Sequence, residues 1–223
     1  MSQTDGDSRI DEESLAALAA GAERADRSTD WPAALTSISR PPRAAIPIPK
    51  EFGGEELAPV ALLEFDEAVA ASCATVALIL SQRAAAIRLL LRASPAIKER
   101  WLPPLASGEA FATVGLAQIT TSRQHGASAL LATPRNGGGF RLDGAIPWVT
   151  GADRADVLVI GATLEDGRQI VTTLPTDRRG IAIGPPLALS ALAGSRTASV
   201  KCEGVEIAAG EIILGPTGKV LGG

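Results

Sequence analysis

The 223-residue sequence contains no tyrosine, and aromatic residues make up only 3% of it. Its net charge is −4. Nucleic-acid binding needs a basic surface, usually with aromatic rings for stacking, so this composition argues against it. One histidine, His125, and two widely separated cysteines, Cys73 and Cys202, are too few for a His/Cys metal site or a disulfide framework. We therefore expect no bound metal.

Long apolar segments are also lacking. The longest apolar run, residues 68–81, is too short to cross a membrane and predicts a buried helix. Residues 1–13 are polar and acidic, without the basic start and apolar core of a signal peptide. These absences predict a cytoplasmic protein that does not bind membranes.

The pattern of apolar residues changes near Gly108. Residues 10–109 have helical apolar periodicity, including an Ala-rich stretch at 59–91 that predicts two helices in contact. Residues 110–217 contain short apolar runs separated by turn signals such as Asp143-Gly144, which is typical of an antiparallel sandwich or barrel. The sequence thus predicts an α+β protein, with an all-helical N-terminal domain (10–109) followed by an antiparallel β-barrel or sandwich domain (110–217). Residues 1–9 are predicted to be a disordered tail.

Five segments resemble, in order, motifs of the acyl-CoA dehydrogenase family. They are residues 48–54 (IPKEFGG), 98–109 (KERWLPPLASGE), 140–150 (FRLDGAIPWVT), 194–200 (GSRTASV) and 204–207 (GVEI). The resemblance implies the family's fold, in which a helical domain and a middle β domain precede a C-terminal helical bundle. Residues 218–223 would begin that bundle, so we expect a truncated chain.

The family's reaction is the FAD-dependent α,β-oxidation of an acyl-CoA thioester. In the family the catalytic carboxylate lies in the C-terminal bundle, and no residue of this sequence matches it. The resemblance therefore implies FAD as cofactor and acyl-CoA as substrate, assigns no catalytic residue, and predicts that this chain alone is inactive. Homo-oligomerisation, or a complementing chain that carries the C-terminal domain, is the partner we expect.

The segment Trp148-Val149-Thr150 carries the most specific cofactor prediction. The resemblance implies that the Trp148 ring lies against the flavin and that the Thr150 hydroxyl meets the flavin N5 edge. An apolar ring can shield the isoalloxazine, and a hydroxyl can donate or accept at N5. Residue type alone is equally consistent with Trp148 in the core and Thr150 at a strand end.

A second predicted contact region follows Gln118. Thr120, Thr121 and Ser122 occupy the place of the family's flavin-binding loop, although the family's Glu-Pro is replaced by Thr121-Ser122. Arg123 and His125 could contact a phosphate of flavin or CoA, and a solvated loop is the alternative. Three features elsewhere have simpler interpretations: the glycines at 137–139 form a hairpin turn, Arg196 lies on a surface strand, and Gln82 is a polar core residue.

Two other functions stay open at this point. The chain could be a non-catalytic paralogue or remnant that acts as a binding module. It could also be a flavin monooxygenase of the same fold, since residues 120–125 depart from the dehydrogenase motif.

Overall fold

The computed structural model describes residues 10–35, 45–121 and 129–221, with only the backbone at positions 120 and 121. The predicted disordered tail, residues 1–9, lies outside the described residues. Within these described residues, five α-helices precede or interrupt the strands. They are α1 (Glu12–Arg27), α2 (Pro59–Ser72), α3 (Ala74–Leu90), α4 (Pro95–Ser107) and the short α5 (Ala117–Thr121).

Local sequence signals fix several helix ends. The Asp11 carboxylate accepts a hydrogen bond from the Ser14 N–H at 2.7 Å and so caps the N-terminus of α1. Helices α2 and α4 begin with proline, which has no amide hydrogen to leave unsatisfied in a first turn. Gly108, in the left-handed conformation at φ 75°, ends α4.

Two helix predictions need correction. Pro103 and Pro104 predict the end of a helix after Leu102, because each lacks an amide hydrogen, yet α4 continues to Ser107. Burial of Leu105 and Ala106 in the core offsets the two missing amide donors. The apolar run 68–81 is not one helix, because the extended backbone at Cys73 separates α2 from α3. The prediction of two helices within residues 59–91 is confirmed.

In the described part of the chain, eight strands form one sheet in the order β6-β7-β3-β2-β4-β5-β8, with β1 also paired to β4. The strands are β1 (Ala112–Gly115), β2 (Leu130–Pro134), β3 (Phe140–Val149), β4 (Val157–Thr163), β5 (Gln169–Pro175), β6 (Ile181–Ile183), β7 (Ala198–Ile207) and β8 (Ile212–Thr217). The pairings are antiparallel except for β1 and β2, which both run parallel to β4. The predicted fold class, helices followed by a mostly antiparallel sheet, is confirmed.

The turn predicted at Asp143-Gly144 is instead a bulge inside β3. Gly144 has φ 129°, and a Cβ there would lie 2.2 Å from the Ala129 carbonyl oxygen, so only glycine fits. The Asp143 carboxylate accepts the Gly204 N–H of β7 at 2.8 Å and fixes the bulge. This hydrogen bond is the main cause that holds the pKa of Asp143 below its usual value. The predicted hairpin at 137–139 is confirmed, since β2 and β3 pair on either side of it.

Three apolar clusters hold the molecule together. One lies among α1, α2 and α3, another inside the sheet, and the third joins α3 and α4 to β1, β4 and β5. The third cluster contains residues from both the helical part and the sheet. The division into two domains at 109/110 stays a prediction. No helix within the described part of the chain combines the length and apolarity needed to cross a membrane.

Candidate functional site

An open cleft of about 330 Å³ lies where α3 meets the ends of β1 and β3. Its wall combines apolar side chains with hydroxyl and amide groups. The lining residues are Leu78 and Gln82 of α3, Val114, Leu116 and Ala117 at the end of β1, Trp148 and Thr150 at the end of β3, and Leu189 and Thr197. The volume and the mixed wall suit a flat heteroaromatic ring with polar edges.

Trp148 is one of the few large apolar side chains that the fold leaves outside the core. It is 54% exposed, whereas its neighbour Val149 is fully buried in the sheet. The strand's alternation explains the contrast, because successive side chains point to opposite faces. The interpretation of Trp148 as a core residue is therefore wrong. The Val149 side chain lies in the sheet core, and the cofactor role of Val149 stays a prediction.

Thr150 follows Trp148 on the same face and is nearly buried, at 8% exposure. Its Oγ1 lies 3.2 Å from Oγ1 of Thr197, which in turn lies 2.9 Å from Oγ of Ser195. The chain then turns at Gly151, with φ 63° and an N–H that donates to the Ser195 carbonyl at 2.8 Å. A Cβ at Gly151 would lie 3.1 Å from the Trp31 ring. These contacts fix the position of the Thr150 hydroxyl at the cleft wall.

Two glutamine side chains hold α5 against the sheet. Gln118 is buried, and its Nε2 donates to the carbonyls of Gly115 and Gly161 at 2.8 and 2.6 Å. Gln169 donates to the Ile119 carbonyl at 2.8 Å. The sheet thus fixes the backbone that runs from the cleft wall at Ala117 towards Thr120.

The second predicted contact region is only partly described. Thr120 and Thr121 end α5, with backbone positions alone. Ser122, Arg123 and His125 lie outside the described residues. Their predicted contacts with flavin, or with a phosphate of flavin or CoA, stay predictions.

Two polar cleft residues were not predicted. Gln82 was interpreted as a polar core residue, but it is half-buried and lines the cleft. Thr197 was quoted only as part of a motif, although its side chain joins Ser195 to Thr150. Neither had a local signal, because the fold brings them from α3 and from the residue before β7.

Arg196 has a structural partner. Its Nε donates to the Asp153 carboxylate at 2.9 Å and its Nη1 to the Thr29 carbonyl at 2.6 Å. The Asp153 contact raises the pKa of Arg196 above its usual value. Arg196 lies two residues before β7, in a left-handed conformation, so the prediction that it lies on a strand is wrong. The groups that its guanidinium contacts, Asp153 and Thr29, belong to this chain.

No metal-binding group of His, Cys, Asp or Glu occurs among residues 10–35, 45–121 and 129–221. Both cysteines are buried, and burial raises the pKa of Cys202 to about 11, so it is an inert thiol. None of the described cleft residues carries a carboxylate. The Asp156 carboxylate has a structural role, accepting the Phe111 N–H at 2.7 Å.

The sequence of this chain is similar to those of known proteins. Residues 11–109 match the sequence model of the acyl-CoA dehydrogenase N-terminal domain. The protein named "Probable acyl-CoA dehydrogenase YngJ" from Bacillus subtilis (strain 168) is 29% identical over 213 residues, which are 90% of this chain and 54% of that protein. The chain is therefore similar to acyl-CoA dehydrogenases, and its helical part matches the N-terminal domain of that family. It spans about half the length of the curated relatives it matches.

Solved structures share the fold of this chain. Glutaryl-coenzyme A dehydrogenase in complex with glutaryl-CoA has a TM-score of 0.78 at 20% identity, over 96% of this chain and 59% of that one. TdsC from Paenibacillus sp. A11-2, in complex with FMN and indole, has a TM-score of 0.77 at 23% identity, over 90% of this chain and 51% of that one. TdsC is a dibenzothiophene monooxygenase. At these identities the likeness establishes the fold alone.

Proposed function

We propose that the chain is a flavoprotein, with FAD as the cofactor and the isoalloxazine ring in the cleft beside Trp148. The observation that carries the proposal is the pairing of an exposed indole with a nearly buried hydroxyl, Thr150, two residues further on. An exposed indole on a cleft wall, beside a hydroxyl held in position, gives a flat ligand both a surface to cover and a polar group to meet. The solved complex of TdsC with FMN supports a flavin for this fold.

The residues present fit such a ring. Trp148 offers a flat apolar surface, and Thr150, Thr197 and Gln82 offer hydrogen bonds at the edge. Bound flavin would supply the hydride acceptor. Trp148 would exclude water from one face of the ring, Thr150 would orient it, and Thr120, Thr121 and Ser122 would add polar contacts.

We further propose an acyl-CoA as substrate, with Arg123 and His125 available to its phosphates. YngJ and the glutaryl-CoA complex support this class. Removing the proton alpha to a thioester needs a general base, which is a carboxylate in the acyl-CoA dehydrogenases that the sequence resembles. The described cleft lining contains no carboxylate, histidine or lysine. We therefore propose that the base comes from a C-terminal helical domain, in a longer chain or a complementing one, within a homo-oligomer.

Flavin uptake by the purified 223-residue chain tests the cofactor proposal. We expect FAD to bind with quenching of tryptophan fluorescence and a shifted flavin absorption band. Trp148→Leu should weaken binding by roughly threefold to tenfold, the usual contribution of an aromatic contact. Trp101→Leu is the control, since that ring packs at α4 beneath Arg100, outside the cleft lining. No FAD binding by the unaltered chain, or equal losses in both variants, would refute the cofactor proposal.

A flavin monooxygenase is the second candidate, because TdsC matches this fold as closely as glutaryl-coenzyme A dehydrogenase does. Anaerobic addition of an acyl-CoA to the flavin-loaded chain, with its complementing domain present, separates the two. Bleaching of the flavin absorption supports the dehydrogenase. Unchanged absorption with acyl-CoA, followed by bleaching with a reduced nicotinamide, supports the monooxygenase.

A further inference from the structure

Three hydroxyl groups form a continuous hydrogen-bonded row at the cleft wall. The row runs from Ser195 Oγ to Thr197 Oγ1 at 2.9 Å and on to Thr150 Oγ1 at 3.2 Å. Exposure rises along it, from 0% at Ser195 to 6% at Thr197 and 8% at Thr150. Thr150 and Thr197 line the cleft, whereas Ser195 lies behind them.

The direction of these hydrogen bonds follows from the inner end of the row. Within the described part of the chain, Thr197 is the one hydrogen-bond partner of the Ser195 hydroxyl. A hydroxyl proton buried without an acceptor is costly, so Ser195 donates to Thr197. Thr197, having accepted from Ser195, uses its own proton to donate to Thr150.

This direction leaves the Thr150 proton for the cleft. A hydroxyl that accepts a hydrogen bond becomes a stronger donor, because bonds in a row polarise one another in a low-dielectric site. The cleft therefore presents one strengthened hydrogen-bond donor, at a position that the β3 and β7 backbones fix. Trp148, two residues before Thr150, sets the plane in which a ring would meet that donor.

We propose that Ser195 and Thr197 are positioning residues that orient the Thr150 hydroxyl as a donor, so that the cleft selects a ring with an acceptor nitrogen at its edge. This inference rests on the proposed flavin function, and it names the oxidised flavin N5 as the atom recognised. Ser195 and Thr197 act only through Thr150. No proton is transferred, and the hydroxyl row serves to orient the bound ring.

The flavin analogue 5-deaza-FAD provides a test that needs no turnover. It replaces N5 by a C–H group and keeps the shape of the ring, so it cannot accept the Thr150 proton. The unaltered chain should bind FAD roughly threefold to tenfold more tightly than 5-deaza-FAD, the range expected for one net hydrogen bond. Titration monitored by tryptophan fluorescence gives both dissociation constants.

Variants of Thr197 and Ser195 then test the row itself. Thr197→Val keeps the side-chain shape and removes the hydroxyl, so the preference for FAD should fall towards one. Thr197→Ser keeps the hydroxyl and should keep the preference, while Ser195→Ala should lower it less than Thr197→Val. A general structural defect would weaken both ligands equally and leave their ratio unchanged.

The outcomes separate this inference from the proposed function. If the unaltered chain binds neither flavin, the proposed flavin site is wrong and the inference falls with it. If it binds FAD and 5-deaza-FAD equally, or if Thr197→Val keeps the full preference, the flavin site stands and the hydroxyl row has no orienting role. Should Thr197→Val fail to fold, Ser195→Ala decides, since an unchanged ratio in that variant overturns the inference.

Discussion

The sheet of this protein has a sealed region and an open one, and they use polar groups differently. In the sealed region, β4 and β5, every residue is buried. Its polar side chains are satisfied within the chain, as when Thr172 donates to the Glu211 carbonyl at 2.9 Å. In the cleft, at the end of β3, an indole is exposed beside a nearly buried hydroxyl. A polar group with an internal partner maintains the fold, whereas a donor beside an uncovered ring is available to a ligand.

The largest expected effect comes from opening the apolar cluster inside the sheet, which β3 shares with β4 and β5. Leu142 of β3 is fully buried in the sheet cluster, so Leu142→Ala should lower the free energy of unfolding by about 2–5 kcal/mol. Leu131 of the paired strand β2 is 37% exposed and serves as the control, where Leu131→Ala should cost clearly less. Urea unfolding of both variants measures the difference. Equal losses would mean that the core does not depend on the buried face of β3.

The sealed region could be predicted from sequence more fully than the cleft. Short apolar runs at 157–160 and 170–174, bounded by turn residues, predict strands at these positions, and β4 and β5 form there. The bulge at Gly144 was missed, since an Asp-Gly pair has the same local signature in a turn and in a bulged strand. Whether that pair turns or bulges depends on β7, through the Gly204 N–H.

In the cleft, sequence predicted the residues that share one motif and missed those that the fold brings together. Trp148 and Thr150 lie two residues apart on one strand, so an eleven-residue resemblance sufficed to identify both. Thr197 meets Thr150 only through the pairing of Val149 with Ala198, a register that no local pattern specifies. Gln82 reaches the cleft because α3 packs against β1, a long-range contact.

A smaller loss of stability is expected when the ion pair between Arg178 and Glu211, at the end of the sealed region, is removed. Arg178 Nη1 donates to Glu211 at 2.9 Å, and the Ala208 N–H donates to the same carboxylate at 2.9 Å. Burial raises the pKa of Glu211, but the hydrogen bonds from Arg178 and Ala208 outweigh it and leave that pKa below its usual value of 4.5. Glu211→Gln should cost about 1.5–3 kcal/mol at neutral pH, the range for hydrogen bonds to a charged group.

The sign of the pH dependence follows from that lowered pKa. The contribution of Glu211 is fully present above the unfolded-state pKa and is lost as the pH falls through the lower folded-state pKa. The unaltered chain should therefore lose more stability below about pH 4.5 than Glu211→Gln does. Denaturant unfolding from pH 7 to pH 3 measures both curves, and parallel curves would contradict a stabilising ion pair.

Trp148 is the residue whose replacement should change stability least, although it should change flavin binding most. Trp148→Leu keeps apolar bulk near the cleft and removes mainly the exposed part of the ring, so it should change the free energy of unfolding by less than about 1 kcal/mol. Its neighbour Val149 is fully buried, and Val149→Ala should cost about 1–3 kcal/mol because it opens a cavity in the sheet core. Thermal unfolding of the two variants without ligand compares adjacent residues on opposite faces of one strand. If Trp148→Leu proved the more damaging, the indole would be a structural element of the fold, and its exposure would no longer indicate a ligand.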